Sequence, residues 1–186
     1  MSTDIQTKMV AIVGTNGTGK TTFCRNIIES MKVPRKLVLT YHMSDWSQYP
    51  INELENTKDF TFKGLQWHVP IDVPKSLDRL KLMYNTLIVF DDARNFFDDR
   101  TPPDLHRIYI SRRQRANHII FIAHDLDDIP RKAYAFISEF ILFRCSPASP
   151  DRLSKLMDRD AFDRAYARVM KKSENDRHYC ESVKMI

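Results

Sequence analysis

The sequence predicts an α/β domain, a mainly parallel sheet with helices on both faces, organised around one glycine-rich loop. Three observations carry that expectation. Short apolar runs recur along the chain and alternate with stretches whose apolar residues keep helical spacing. Residues 14–21, Gly-Thr-Asn-Gly-Thr-Gly-Lys-Thr, fit the pattern G-x-x-x-x-G-K-[ST] at every fixed position and lie between such a run and such a stretch. A later apolar run ends in the acidic pair Asp91-Asp92.

The first run, Met9 to Val13, reads as a buried parallel strand. After the loop, Phe23, Cys24, Ile27, Ile28 and Met31 fall at helical spacing, so the loop opens a helix whose N-terminus faces a bound anion. The chain has only 4 glycines, and Gly14, Gly17 and Gly19 all fall in this window; Gly64 is the other. A loop that turns its backbone N–H groups inward needs positive φ or close backbone approach, which glycine supplies. Gly14, Thr15, Asn16, Gly17, Thr18, Gly19, Lys20, Thr21 and Thr22 are therefore the expected phosphate-binding set. Lys20 would reach the β and γ phosphates of a nucleoside triphosphate, and the Thr21 hydroxyl would coordinate Mg²⁺.

Pro34 ends the helical pattern, and Lys36 to Tyr41 reads as a second buried strand, completing a βαβ unit. From His42 to Asp72 the pattern is irregular, with room for a short edge strand within Phe60 to Val69. Ser76 to Asn85 has one apolar helical face and leads into the strand Thr86 to Phe90. A carboxylate at the end of such a strand, beside a phosphate loop, holds the Mg²⁺ of the nucleotide, and Asp91 is the candidate; the competing reading is a helix-capping aspartate. Asp92 stands where a second carboxylate orients the attacking water, or else caps the turn.

Thr101-Pro102-Pro103-Asp104 reads as a helix start, with the helix running to about Arg115. Arg112, Arg113 and Arg115 give its end a basic bias that suits a solvated face, a nucleic-acid contact, or an arginine reaching the nucleotide of a neighbouring subunit. The next strand, Ile119 to Ala123, ends at His124, where a polar side chain can sense the γ-phosphate or polarise the water, or simply be a satisfied surface histidine. Asp127 to Ser138 reads as a short helix interrupted by Pro130, and Glu139 to Cys145 as a fifth and final strand. An amphipathic helical stretch from Leu153 to Met170 follows, and the charged tail from Lys171 to Ile186 is expected either to be disordered or to meet a neighbour.

At 186 residues, 42% of them hydrophobic, the chain suits a single domain, with a core over about residues 9–145 and a helical segment and tail over 146–186. No run of membrane-spanning length and no signal peptide is visible, so a soluble intracellular protein is expected. Cys24, Cys145 and Cys180 lack metal-ligand spacing and read as free thiols. A net charge of +5 is compatible with a nucleic-acid partner without being diagnostic of one.

In this order of elements the chain resembles the RecA-like additional-strand P-loop ATPases, and within them the FtsK/HerA superfamily of DNA pumps. It is most like the small genome-packaging ATPases of tailless, often membrane-containing viruses, and is also similar to the ATPase domain of phage assembly proteins of the zonula occludens toxin type. The resemblance covers about Met9 to Cys145, and its DNA-pump part rests on Arg112-Arg113-Gln114-Arg115-Ala116-Asn117-His118 leading into Ile119 to His124. It implies ATP and Mg²⁺ as cofactors, hydrolysis coupled to DNA translocation, and a pentameric or hexameric ring. It further implies a capsid or membrane-embedded viral protein as a partner, and a place in the host cytoplasm or on the virion. An arginine before the fourth strand acts there on the adjacent subunit's ATP; Arg113 is the first choice, then Arg115 and Arg112. The family usually has glutamate where Asp92 stands and glutamine or a similar residue where His124 stands. Two other readings are a small P-loop kinase, with the three arginines as a lid over the phosphates, and a nucleotide-binding module that switches shape without turnover.

Overall fold

The computed structural model describes residues 7–56, 62–96 and 103–185. Their strands form one seven-stranded sheet with helices on both faces, as the alternating pattern requires. Strand β1 (Met9–Val13) leads through the glycine-rich loop into α1 (Lys20–Ser30), and β2 (Arg35–Leu39) completes the βαβ unit. A short α2 (Met43–Trp46) precedes β3 (Gly64–His68), the expected edge strand. Helix α3 (Val73–Leu80) starts earlier than its apolar spacing suggested, because the Asp72 side chain caps it by accepting from Lys75 N at 3.0 Å. Strand β4 (Thr86–Asp91) follows, then α4 (Pro103–Ser111), β5 (His118–Ala123) and β6 (Glu139–Leu142). The strand order is β3-β2-β4-β5-β1-β6, all parallel, so β5 lies between the loop strand and the strand that ends in Asp91.

Alternation along each strand divides the core in two. Met9, Ala11 and Val13 face the side covered by Leu77, Leu80, Leu105, Tyr109 and Phe162. Val10 and Ile12 face the side covered by Cys24, Ile28 and Trp46. Both faces of the sheet are thus apolar, which is why its strands read as continuous apolar runs.

Several expected boundaries move. The α4 helix ends at Ser111, not near Arg115, and residues 112–116 form a turn in which Ala116 takes a positive φ of 53°. The expected N-cap, Thr101, lies outside the described residues. The stretch after β5 forms two 3-10 helices, Leu126–Asp128 and Arg131–Phe136, separated at Pro130. The amphipathic segment divides into α5 (Pro150–Leu153) and α6 (Arg159–Lys172). The sheet does not close at the fifth run, and the tail is not disordered: β7 (Glu181–Lys184) pairs antiparallel with β6, from Glu139↔Lys184 to Leu142↔Glu181. Val183 and Met185 are buried there, so the tail belongs to the domain. Among the described residues no helix is long and apolar enough to cross a membrane.

Candidate active site

The parallel strands end on one side of the sheet, and a cleft of about 440 Å³ opens there, where ligands of open α/β sheets bind. It is lined by Asn16, Gly17 and Gly19 to Thr22 of the loop, by His42 and Asp45, by Asp91 and Asp92, and by His124, while Thr18 is buried behind it. Residues brought from four separate strand ends therefore meet in one place. Sequence reasoning placed the loop, both aspartates and His124 here.

The loop has a regular inside and outside. Gly14 N and Thr15 N donate to Ala123 O (3.1 Å) and Arg144 O (2.8 Å), which ties the start of the loop to the ends of β5 and β6. A Cβ on Gly14 would lie 2.4 Å from Phe143 Cβ, a close approach that only glycine permits. From Asn16 to Thr22 no backbone N–H has a protein acceptor among the described residues. These amides precede or open α1, so they form a concave set of donors at a helix N-terminus, suited to phosphate oxygens. Lys20 is buried and donates from Nζ to Thr15 O at 2.9 Å, with His124 Nδ1 at 3.5 Å. Burial lowers its pKa, and the negative charges of Asp91, Asp92 and Asp125 partly restore it.

Asp91 ends β4 inside the fold. Thr40 Oγ1 (2.9 Å) and Trp46 Nε1 (2.7 Å) both donate to its Oδ2, leaving Oδ1 as the oxygen to present to a cation. Burial raises the Asp91 pKa, and these two donors pull it back. A hydroxyl on Thr21 together with carboxylates is an oxygen donor set of the kind Mg²⁺ takes, with its remaining positions filled by water and phosphate. The competing reading of Asp91 as a helix cap finds no support, since its partners are side chains of β2's end and α2.

Asp92 sits in the left-handed region, φ 59° and ψ 74°, uncommon for a residue with a Cβ. Its Oδ2 accepts from Asn95 Nδ2 at 2.9 Å and has His42 Nε2 at 3.5 Å and His124 Nε2 at 3.9 Å. Its Oδ1 is buried without a partner, an acceptor that water in the cleft would satisfy. Strain and an unmet acceptor in a cleft suit a residue that holds a water, more than a simple turn cap.

The three arginines do not join this cleft. They precede β5, at the opposite end of a six-residue strand spanning about 20 Å. A lid of Arg112, Arg113 and Arg115 over the loop of their own chain is therefore ruled out by topology. Arg112 is also withdrawn from any neighbour: it is 5% exposed, donates from Nη1 to Tyr109 O at 3.0 Å and lies over the Phe136 ring. Arg113 is exposed, and Arg115 is half-buried with its carbonyl held by Asn85 N at 2.7 Å.

Thr40, Trp46, His42, Arg177 and His178 are site residues that the sequence did not disclose. Thr40 had a signal, as the residue after a strand that flanks β4. The others lie in irregular segments with no periodicity to place them.

No protein-family model matches the chain, and no curated protein is significantly similar to it. Among solved structures it is similar to the genome packaging NTPase B204 from Sulfolobus turreted icosahedral virus 2 in complex with AMP. The TM-score is 0.71 at 15% identity, over 96% of this chain and 93% of that one. The same NTPase in complex with ATP-gammaS gives 0.70 at 16% identity, over 96% and 92%. B204, the DNA-packaging ATPase from Sulfolobus Turreted Icosahedral Virus, gives 0.67 at 14% identity, over 96% and 92%. The chain thus has the fold of these NTPases along nearly its whole length.

Proposed function

We propose that the chain is an ATP-hydrolysing DNA translocase, a viral genome-packaging ATPase that works as a pentameric or hexameric ring. The observation that carries this reading is the insertion of β5 between β1 and β4, which sets His124 between the loop and the Asp91-Asp92 pair. The fold shared with packaging NTPases supports it.

In this reading the inward amides of the loop and the Lys20 ammonium bind the β and γ phosphates, drawing Lys20 off Thr15 O. Thr21 and the free oxygen of Asp91 hold the ion, and Mg²⁺ bound there would neutralise charge on the phosphates. Asp92 accepts a hydrogen bond from the attacking water through its unpaired oxygen, while Asn95 and His42 fix its other oxygen. Aspartate is one methylene shorter than glutamate, and its left-handed backbone offers a way to bring the carboxylate to the water. His124, bridging Lys20 and Asp92, reads the γ-phosphate from the strand end.

Arg113 supplies positive charge to the ATP of the next subunit in the ring. Its exposure and its distance from its own cleft support a role in trans, and exposed Leu82, Tyr84 and Ile110 from the neighbouring turn and helix give an apolar surface for the contact. DNA, with a capsid or viral membrane protein, is the proposed partner, in the host cytoplasm or on the virion.

The test is ATP hydrolysis with and without double-stranded DNA. The proposal expects Mg²⁺-dependent turnover that DNA stimulates. Consumption of ATP only when a small phosphate acceptor is supplied, with no response to DNA, would favour a kinase and contradict it.

A further inference from the structure

The C-terminal tail returns to the glycine-rich loop from outside the cleft. Arg177 Nη2 donates to Asn16 O at 3.0 Å, and His178 Nδ1 lies 3.2 Å from Thr18 O. The contact is close: a Cβ on Gly17 would fall 2.0 Å from Arg177 Nη2, and one on Gly19 would fall 3.3 Å from His178 Nδ1. Two further loop carbonyls are also occupied. Thr15 O accepts from Lys20 Nζ and Thr18 Oγ1, and Gly19 O accepts from Phe23 N.

The segment that delivers these two side chains is braced at both ends. Arg168 of α6 holds Glu181 at 2.7 to 3.0 Å through two nitrogens, and the salt bridge lowers the Glu181 pKa. Tyr179 donates to Glu181 and accepts from Lys172, and β7 is hydrogen-bonded to β6, the neighbour of the loop strand. Within the turn, His178 N donates to Asp176 Oδ1 at 2.9 Å.

Alternate peptide groups in a phosphate-binding loop must turn their N–H inward and their C=O outward, and an outward carbonyl without a donor favours the flipped loop. We infer that the tail segment Arg177-His178 is a positioning element of the nucleotide site: by holding the Asn16 and Thr18 carbonyls outward, it keeps the loop amides aimed at the phosphates. This rests on the reading of the loop as an ATP site. Arg177 is absent from the lining of the cleft, so it acts through the loop and not on the nucleotide. Thermodynamic linkage adds a second consequence. If the docked tail strengthens nucleotide binding, bound nucleotide must strengthen tail docking by the same factor.

The experiment uses the full chain and a non-hydrolysable ATP analogue with Mg²⁺. Arg177→Ala should weaken binding by about fivefold to tenfold, as expected for one solvent-exposed hydrogen bond, and Arg177→Lys should recover part of it. In hydrolysis the change should appear in KM, with kcat at saturation nearly intact. In the unaltered protein, the analogue should slow amide hydrogen exchange in residues 177–182. Equal affinity of Arg177→Ala and the unaltered chain, or exchange in 177–182 indifferent to the analogue, overturns the inference and leaves the ATP site standing. A loss of affinity in which KM rises and kcat falls together, with Arg177→Lys no better than Arg177→Ala, also overturns it as general damage to the site. If the unaltered chain binds no analogue, the ATP reading itself fails and the inference fails with it.

Discussion

Asp91 is a carboxylate that the fold has partly taken out of water, then compensated with two donors on one oxygen. Trp46→Phe keeps the ring in its buried place and removes the 2.7 Å donor. Mg²⁺ affinity should fall about 10- to 100-fold, as is common when a ligand loses its supporting hydrogen bond. The pH response has a definite sign. Burial already raises the Asp91 pKa and Trp46 opposes that shift, so losing Trp46 raises it further and moves the acid limb of Mg²⁺-dependent hydrolysis to higher pH. A Mg²⁺ titration of ATP hydrolysis at several pH values measures both effects. For Asp92 the expectation differs. Asp92→Asn keeps one carbonyl oxygen and the polar contacts but loses the base, so hydrolysis should fall by about a hundredfold or more, with analogue binding nearly unchanged.

At this scale the sequence was most informative where the chemistry is local in the chain. Gly14 to Thr22 could be read as a unit because the loop is one contiguous stretch of the chain, and Asp91-Asp92 because an apolar run ends on them. The helpers could not be read. Trp46 is 45 residues from Asp91, and Arg177 is 161 residues from Asn16, so only the folded sheet brings them together.

At the scale of elements, the apolar runs that became buried parallel strands were legible, since both faces are covered and no alternation confuses them. The tail was not. Strand β7 is a half-exposed edge strand of mixed polarity, Glu-Ser-Val-Lys, and its pairing with β6 depends on α6 turning the chain back. Two residues show how firmly α6 is seated: Phe162 packs edge-on against Phe140 of β6 at 5.2 Å and lies nearly parallel to Tyr166. Phe162→Ala should therefore cost about 3 to 5 kcal/mol in equilibrium denaturation, the range for a large core aromatic. A cost below about 1 kcal/mol would mean that α6 is an appendage and not part of the core.

For the molecule as a whole, the strand order matters more than any single contact. It puts the loop, Asp91, Asp92 and His124 at one end of the sheet and Arg113 at the other. The basic stretch before β5 was visible in the sequence, but which of its arginines is free to act was not. Burial now removes Arg112 and leaves Arg113 facing out. With Arg113 so far from its own cleft, the proposed ring would let it serve the cleft of a second copy.

Catalysis shared between neighbouring subunits is the central claim, and it is tested most directly by mixing. Arg113→Ala is titrated into the unaltered protein at constant total concentration, and DNA-stimulated ATP hydrolysis is followed at steady state. Shared sites in a coordinated ring predict that Arg113→Ala alone is nearly inactive and that activity in the mixtures falls more steeply than the fraction of unaltered chain. Undiminished multiple-turnover hydrolysis by Arg113→Ala alone would contradict the claim.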